Sequence, residues 1–280
     1  MKGKARLVGV LMAALLAERA PAQVPLNTGQ AQSALFRPLL ADPKEPRFFA
    51  TYLWAHSPRL ASRLGSVGFG QTFSLLHGQA WQLGVAAGVF SEFDMQSTTT
   101  DLLNTDYLIG LPLTYRRGAW ATRLRVFHQS SHLGDEYMVH THAQRITLSY
   151  EAAELLVARS TLHWRVYGGG EYTFTHQPRD LKPVVLHGGA EYRQTRPLLR
   201  IGRLAAGRLV AGLDAQSVQD RGWRVGWSGV TGLELADGDD PPEAEWRWSL
   251  LLKAYTGPAP YGQFYRDDVS YLGLGVGFTL

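Results

Sequence analysis

The segment YLGLGVGFTL, residues 271–280, decides the fold class of this sequence. Its large apolar side chains occupy every second position: Leu272, Leu274, Val276, Phe278 and Leu280. Successive side chains of a β-strand point to opposite faces, so this spacing predicts a strand with one continuous apolar face. The intervening glycines belong to the other face of that strand, and their strict alternation argues against a phosphate-binding loop.

The same alternation recurs along most of the chain. It is seen in four further segments: Trp81–Val89, Leu162–Tyr167, Trp223–Ser228 and Trp246–Lys253. In a soluble sandwich the apolar face would form the core, whereas in a membrane barrel it would face lipid and the polar face would line the interior. Tryptophan is enriched at membrane interfaces, and five tryptophans near predicted strand starts favour the barrel: Trp81, Trp120, Trp164, Trp246 and Trp248.

These segments predict an all-β fold, a single antiparallel transmembrane β-barrel of about twelve strands over residues 48–280. The predicted strands span residues 48–55, 64–76, 81–93, 106–116, 119–130, 142–150, 162–176, 184–195, 206–218, 222–236, 245–256 and 269–280. The short links at 77–80 and 117–118 then fall on the periplasmic side. One segment, Glu151–Ser160 (EAAELLVARS), is predicted to form a short periplasmic helix instead.

The N-terminus has the features of an export signal. A basic start (MKGKAR) precedes the apolar run Leu7–Ala17, and Ala20–Ala22 supplies the small residues of a cleavage site. This order predicts a signal peptide over residues 1–22 and a destination outside the cytoplasm. Residues 23–47 are irregular and contain several prolines, so they are predicted to form an N-terminal lead-in or plug ahead of the barrel.

The composition narrows the class of protein and its partners. The chain contains no cysteine, which excludes disulfides and thiolate chemistry. The net charge of +4 is mild and dispersed, so no nucleic-acid partner is expected. The expected location is the outer membrane, where the partners are membrane lipid and the barrel-insertion machinery. The oligomeric state stays open.

The polar run Phe127–Tyr137 (FHQSSHLGDEY) is the segment in which chemistry is predicted. Continuing the outward parity of the apolar residues before it places His128 and Ser130 on the lipid-facing wall. An imidazole beside a serine hydroxyl is the arrangement that activates serine to attack an ester carbonyl. The hypothesis is a lipid acyl hydrolase with Ser130 as nucleophile and His128 as base, and with His142 or Glu136 orienting the imidazole.

His128 and Ser130 resemble the His-x-Ser signature of outer-membrane phospholipase A and of the lipid A deacylase. In those barrels the catalytic His and Ser project outward from a strand. The resemblance implies a serine-type lipid hydrolase with a third member, Asn or Glu, on the following strand, at about the position of His142. Ser131 stands where those enzymes have an Asn after the serine.

Other interpretations of the same cluster stay open. A metal site for calcium or another divalent cation would draw on nitrogen and oxygen ligands of this region. Those ligands are His132, His140 and Asp135, together with His128, His142 and Glu136. Alternatively, His128 and Ser130 lie in the headgroup zone of a structural or ligand-binding barrel without enzymatic activity. A narrow selective pore is the remaining alternative, although charged inner side chains are expected to fill a barrel of this size.

Several segments together resemble a family of exported bacterial proteins known as domain of unknown function 1207. The matching stretches are Leu35–Phe36, Pro38–Pro43, Pro46–Arg47, Asp106–Tyr107, Ile109–Leu113, His128–Tyr137 and Tyr261–Tyr265. The resemblance covers nearly the whole chain after the export signal. It implies an exported, barrel-like protein and implies no activity.

Overall fold

The computed structural model describes residues 34–201, 205–236 and 247–279. Over these ranges the chain forms thirteen β-strands and one short α-helix, α1 (Asp135–Thr141). The strands are β1 (Phe48–His56), β2 (Arg63–His77), β3 (Trp81–Asp94), β4 (Leu102–Arg117), β5 (Trp120–Leu133), β6 (Leu148–Ser160), β7 (Trp164–Gln177), β8 (Val184–Arg193), β9 (Leu199–Ile201), β10 (Ala205–Val218), β11 (Arg224–Ala236), β12 (Arg247–Pro258) and β13 (Asp268–Thr279). The export signal predicted over residues 1–22, and residues 23–33 of the predicted plug, lie outside the described residues.

Twelve of these strands close into one antiparallel ring. Each strand pairs with its neighbour in sequence, except that β8 pairs with β10 and the short β9 adds only a brief pairing to the start of β10. The ring closes between the first and last strands, where Phe48 faces Phe278 and His56 faces Ser270. The predicted barrel of about twelve strands is therefore confirmed.

The two faces of the wall differ as the alternation predicted. On β13, Leu272, Leu274 and Val276 are about half exposed on the outside, while Gly273 and Gly277 are buried on the inside. The outer faces of the other strands carry further exposed apolar side chains, including Ile109, Leu111, Leu155, Val166, Leu250 and Leu252. A continuous apolar exterior over a polar interior is the arrangement of a membrane-spanning barrel.

The connections differ in length at the two ends of the barrel. Short turns at 78–80, 118–119 and 161–163 lie at the end where β1 begins and β13 ends, whereas longer segments at 95–101, 134–147 and 259–267 lie at the other. In outer-membrane barrels the short turns are periplasmic, so the longer segments form the extracellular end. As for helices, α1 is too short to cross a bilayer, and the described part of the chain contains no spanning helix.

The helix predicted for Glu151–Ser160 is wrong, and the strand predicted for residues 142–150 is confirmed only over residues 148–150. The strand β6 covers Leu148–Ser160, and residues 142–147 form part of the loop before it. Ala, Glu and Leu are good helix formers, but the barrel imposes the period-two alternation in which Glu154 and Leu156 face inward and Leu155 faces outward. Tertiary pairing with β5 and β7 therefore overrides the local helix propensity.

The described part of the N-terminal segment, residues 34–47, contacts inward-facing side chains of the barrel. Leu39 is fully buried, the Leu40 amide donates to Glu191 over 2.6 Å, and Glu45 pairs with Arg123 over 2.6 Å. Arg165 donates to the carbonyl oxygens of Arg37, over 2.7 Å, and Pro38, over 3.0 Å. An eight-stranded barrel is filled by its own side chains, whereas a twelve-stranded one has more room inside.

Candidate functional site

The outer face of β5 changes from apolar to polar along its length. Trp120, Leu124 and Val126 are exposed on the outside, while Arg123 and Arg125 between them are buried on the inside. The alternation continues without a bulge against β4 and β6, which puts the next two residues of the outer series, His128 and Ser130, on the lipid-facing wall. Their side chains are partly exposed there. This is the orientation that the parity of the sequence predicted.

His128 and Ser130 lie near the extracellular edge of the apolar band. From the interfacial Trp120 to His128 the strand advances about 26 Å at roughly 3.3 Å per residue. A strand tilt of about 40° reduces this to about 20 Å along the membrane normal, against an apolar band about 25 Å tall. At this depth an outward-facing side chain meets the boundary between acyl chains and headgroups.

Glu151 of β6 is the partner of His128. The two residues face each other in register, and His128 Nδ1 lies 3.0 Å from Glu151 Oε1. Both side chains are partly exposed, at 41% and 39%. If Nδ1 donates to the carboxylate, as in neutral imidazole with the proton on Nδ1, the other ring nitrogen carries the lone pair. The carboxylate therefore selects the tautomer in which Nε2 can accept a proton.

A β-bulge occurs beside Glu151. On β7 the register shifts so that Glu151 faces Thr175 while Ala152 faces Thr173, which leaves Phe174 as the extra residue. Bulges locally increase twist and re-aim side chains, and they are over-represented next to active sites. The bulge thus lies beside Glu151, whose carboxylate contacts the His128 imidazole on β5.

Ser130 lies two residues after His128 on the same face. In register it faces Tyr107 of β4 and Ser149 of β6. Same-face neighbours along a strand are about 6.6 Å apart at their Cα atoms. Within the described residues Ser130 Oγ has no hydrogen-bond partner. A nucleophile–base contact that is long in the free protein is common and tightens when substrate binds.

Ser131 faces the opposite way from Ser130. It is 3% exposed, and its Oγ donates to Asn104 Oδ1 over 3.0 Å inside the barrel. Its side chain is therefore not available to a substrate on the outer wall. Behind it, a Cβ on Gly262 would lie 2.4 Å from Ser131 Oγ, so only glycine fits this close approach.

Gln263 connects the strand at the candidate nucleophile to the loop that follows α1. Its Nε2 donates to the carbonyl oxygens of Ser131, over 2.9 Å, and Ile146, over 2.8 Å. Its Oε1 accepts from the Ile146 amide over 3.0 Å. Gln263 is 2% exposed, so these hydrogen bonds are made in a buried environment where an unpaired amide is costly.

Neither of the two predicted orienting residues is hydrogen-bonded to His128. Glu136 is in the first turn of α1, and His142 is the C-cap of that helix with a left-handed φ of 54°. Neither makes a hydrogen bond with His128, whose partner is Glu151. Because Glu151 was predicted to lie in a helix, its role as the partner of His128 was not predicted. An alternation of period two along EAAELLVARS would have placed Glu151 on the outward face, like His128.

The residues of the alternative metal site are dispersed. His140 pairs with Asp101 over 2.7 Å, His132 contacts Arg145 and the ring of Tyr107, and Asp135 begins α1. Among residues 34–201, 205–236 and 247–279, no group of three or more His, Asp or Glu side chains could hold a metal ion. Calcium requires six to eight oxygen ligands, so the described residues of one chain do not fit a resident calcium beside Ser130.

The family described as "Protein of unknown function (DUF1207)" matches residues 13–280. The barrel is similar to outer membrane phospholipase A from Escherichia coli, with a TM-score of 0.58, 14% identity, and coverage of 87% of this chain and 93% of that chain. The Salmonella typhi outer membrane phospholipase, a dimer with bound calcium, gives a TM-score of 0.56, 14% identity, and coverage of 85% and 93%. At these identities the likeness shows the fold, which is that of an outer-membrane β-barrel.

A lower likeness links the chain to LpxR from Salmonella typhimurium, with a TM-score of 0.41, 11% identity, and coverage of 83% of this chain and 99% of that chain. No curated protein matches the sequence.

Proposed function

We propose that this chain, which belongs to the family of proteins of unknown function DUF1207, is an outer-membrane lipid acyl hydrolase. Ser130 acts as the nucleophile, His128 as the general base, and Glu151 orients His128. One observation carries the proposal: on the lipid-facing wall the His128 imidazole is bound to a carboxylate through Nδ1, and a serine lies two residues further along the same face. Polar groups facing lipid are costly, so a His–Glu–Ser set on this wall indicates function.

The arrangement supports acyl transfer through two steps. In the first, His128 Nε2 takes the proton from Ser130 Oγ as the oxygen attacks the ester carbonyl carbon. His128 then gives that proton to the departing alcohol oxygen as the carbonyl–oxygen bond breaks, leaving an acyl-serine. In the second, water loses a proton to His128 and attacks the acyl-serine, and Ser130 regains its proton as the fatty acid leaves.

The location of these residues favours a lipid as the substrate. They lie on the outer wall near the boundary of the apolar band, where the ester groups of membrane lipids are found. A water-soluble ester would meet this face only by competing with lipid. Two structural neighbours are phospholipases by description, which agrees with the proposal.

A pore is less consistent with the interior. Residues 34–47 contact inward-facing side chains: Arg123 is bound both to Glu45 of that segment and to Glu154 of the wall. On β8, Glu191 pairs with Arg165 and Arg193, each over 2.7 Å. Such a buried ion-pair network makes the interior rigid and leaves little width for ions.

The experiment measures fatty-acid release from mixed lipid–detergent micelles, with calcium and with a chelator. The wild-type protein is expected to release fatty acid, and Ser130→Ala to lower the rate by about 10³-fold or more. Ser149→Ala is the matched control, because Ser149 also faces outward and lies opposite Ser130 in register. Unchanged heat-dependent migration on SDS gels shows that the barrels still fold. Wild-type protein that releases no fatty acid from any phospholipid or lipid A would contradict the proposal.

A further inference from the structure

We infer that the lipid cleaved at Ser130 carries a phosphate group, and that Arg145 and His132 bind this phosphate. The inference rests on the proposed hydrolase and adds a second site beside it. Three observations carry it: the place of His132 on the outer wall, the contact that holds Arg145 against it, and the absence of an acidic partner for Arg145 among the residues that the structure describes.

His132 is the next outward residue after Ser130 towards the extracellular end of β5. Its side chain is exposed, and its ring lies edge-on to Tyr107, with ring centroids 5.6 Å apart. Tyr107 itself faces Ser130 in register on β4. A group bound at His132 would therefore lie about 6.6 Å beyond the nucleophile along the strand, on the headgroup side.

Arg145 reaches the same place from the loop between α1 and β6. Its guanidinium contacts His132 Nδ1. The loop is fixed from inside the barrel, because both the amide and the carbonyl of Ile146, the next residue, are bound by the buried Gln263. The position of Arg145 is thus set by the same residue that holds the backbone at Ser131.

The pair presents hydrogen-bond donors and no acceptor. A guanidinium has only donors, so His132 Nδ1 must accept from Arg145, which leaves the proton of the neutral imidazole on Nε2. In the described part of the chain the remaining N–H groups of Arg145 make no other hydrogen bond, so they can bind a group outside the pair. Across the described ranges no carboxylate lies within ion-pairing distance of Arg145. A cation with free donors beside an imidazole N–H suits a phosphate, to which charge-assisted bonds are strong.

The order of groups along β5 matches the order of groups in a phosphorylated lipid of the outer leaflet. Leu124 and Val126 provide an apolar surface for an acyl chain, His128 and Ser130 meet the ester, and His132 with Arg145 lies beyond them towards the headgroup. A neutral diacylglycerol would contact the apolar surface and the His128–Ser130 pair, but it has no phosphate for His132 and Arg145 to bind. The subsite should therefore discriminate between lipids by their phosphate.

Hydrolysis of three lipids tests this inference: phosphatidylglycerol, lipid A bearing its phosphates, and neutral diacylglycerol, each in the same detergent. Arg145→Leu and His132→Ala are expected to lower kcat/KM on phosphate-bearing lipids by about 10- to 100-fold and to change it less than about threefold on diacylglycerol. Arg179→Leu is the matched control, since Arg179 is an exposed arginine in the 178–183 loop at the same end. Whichever phosphorylated lipid shows the larger effect identifies the source of the phosphate. An equal loss on all three lipids would overturn the inference.

A binding measurement tests the phosphate site separately from hydrolysis. In the Ser130→Ala protein, titration with short-chain phosphatidylglycerol and short-chain diacylglycerol measures affinity without turnover. We expect phosphatidylglycerol to bind about 10-fold or more tightly and Arg145→Leu to remove that preference. This result would support the subsite even if no lipid were hydrolysed. Equal affinity for the two lipids, or a preference that survives Arg145→Leu, would overturn it.

Discussion

His128 on β5 and Glu151 on β6 face each other across the outer wall of the barrel, with Nδ1 and Oε1 3.0 Å apart. The pair is formed by strand register, since each residue belongs to the outward series of its own strand. Both side chains lie near the edge of the apolar band, where a lone charged group would be costly and a hydrogen-bonded pair is tolerated. Glu151 acts through His128 and is thus a positioning residue.

Replacing Glu151 should lower catalysis without lowering substrate binding. Glu151→Ala removes the group that fixes the tautomer and stabilises the imidazolium, so kcat should fall by about 100-fold while KM changes little. Glu151→Asp should recover part of the loss, because a carboxylate is restored at a slightly greater distance. Steady-state kinetics on micellar lipid measures both values. Glu136→Gln, on α1, is the control and should behave as wild type. A loss on Glu136→Gln equal to that on Glu151→Ala would contradict the assignment.

Removing Glu45 should destabilise the barrel from within. The Glu45 carboxylate binds Arg123 through both oxygens, at 2.6 and 3.0 Å, and both side chains are almost fully buried. Among the described residues, Glu45→Ala leaves Arg123 paired with the carboxylate of Glu154 alone, and the free energy of unfolding should fall by about 3 kcal/mol. Urea unfolding in lipid vesicles measures the change. The exposed pair Arg59–Asp267 is the comparison, and Asp267→Asn should cost less than about 1 kcal/mol. Equal effects of the two substitutions would contradict the buried network.

Shortening the N-terminal segment should open the interior. If residues 34–47 plug the lumen, the wild-type protein should show no steady conductance in planar bilayers, and deletion of residues 34–46 should produce ion-conducting channels. The wall retains paired charges, such as Arg165 with Glu191, so the deleted form keeps a polar lining. Heat-dependent gel migration reports whether it folds. Steady conductance by the wild-type barrel, or a folded deletion form that conducts no ions, would contradict a plug.

Gln263 should control the order of the loop that carries Arg145. Gln263→Glu keeps an acceptor for the Ile146 amide but loses the N–H groups that bind the carbonyls of Ser131 and Ile146. Leaving these carbonyls unpaired should cost about 2 kcal/mol and loosen residues 142–147. Limited proteolysis should then cut this loop faster, while the barrel strands stay protected. Wild-type cleavage kinetics in Gln263→Glu would show that the loop is fixed by other contacts.

The outward orientation of His128 and Ser130 could be derived from the sequence because strand parity is a local property. Every second residue from Trp120 onwards points outward as long as no bulge interrupts the strand. The register of β5 with β4 and β6 contains no bulge. The terminal strand could be derived for the same reason, since Leu272, Leu274 and Val276 mark one face without ambiguity.

Glu151 could not be derived while EAAELLVARS was interpreted as a helix. That segment satisfies both a helical composition and a period of two, and only pairing with β5 decides between them. The contacts of residues 34–47 were equally inaccessible, because an irregular segment has no periodicity from which its partners can be deduced. Gln263 lies more than one hundred residues from Ser131 in sequence, and only barrel closure brings the two together.

The most direct test of the hydrolase is covalent labelling of the nucleophile. Folded wild-type protein in detergent is treated with a lipophilic fluorophosphonate, and the modified residue is identified by peptide mass mapping. We expect a single adduct on Ser130 that is lost in His128→Ala and absent from Ser149 and Ser131, since labelling requires a serine activated by its base. Absence of an adduct on Ser130 in the wild-type barrel, or equal labelling in His128→Ala, would contradict a hydrolase with Ser130 as its nucleophile.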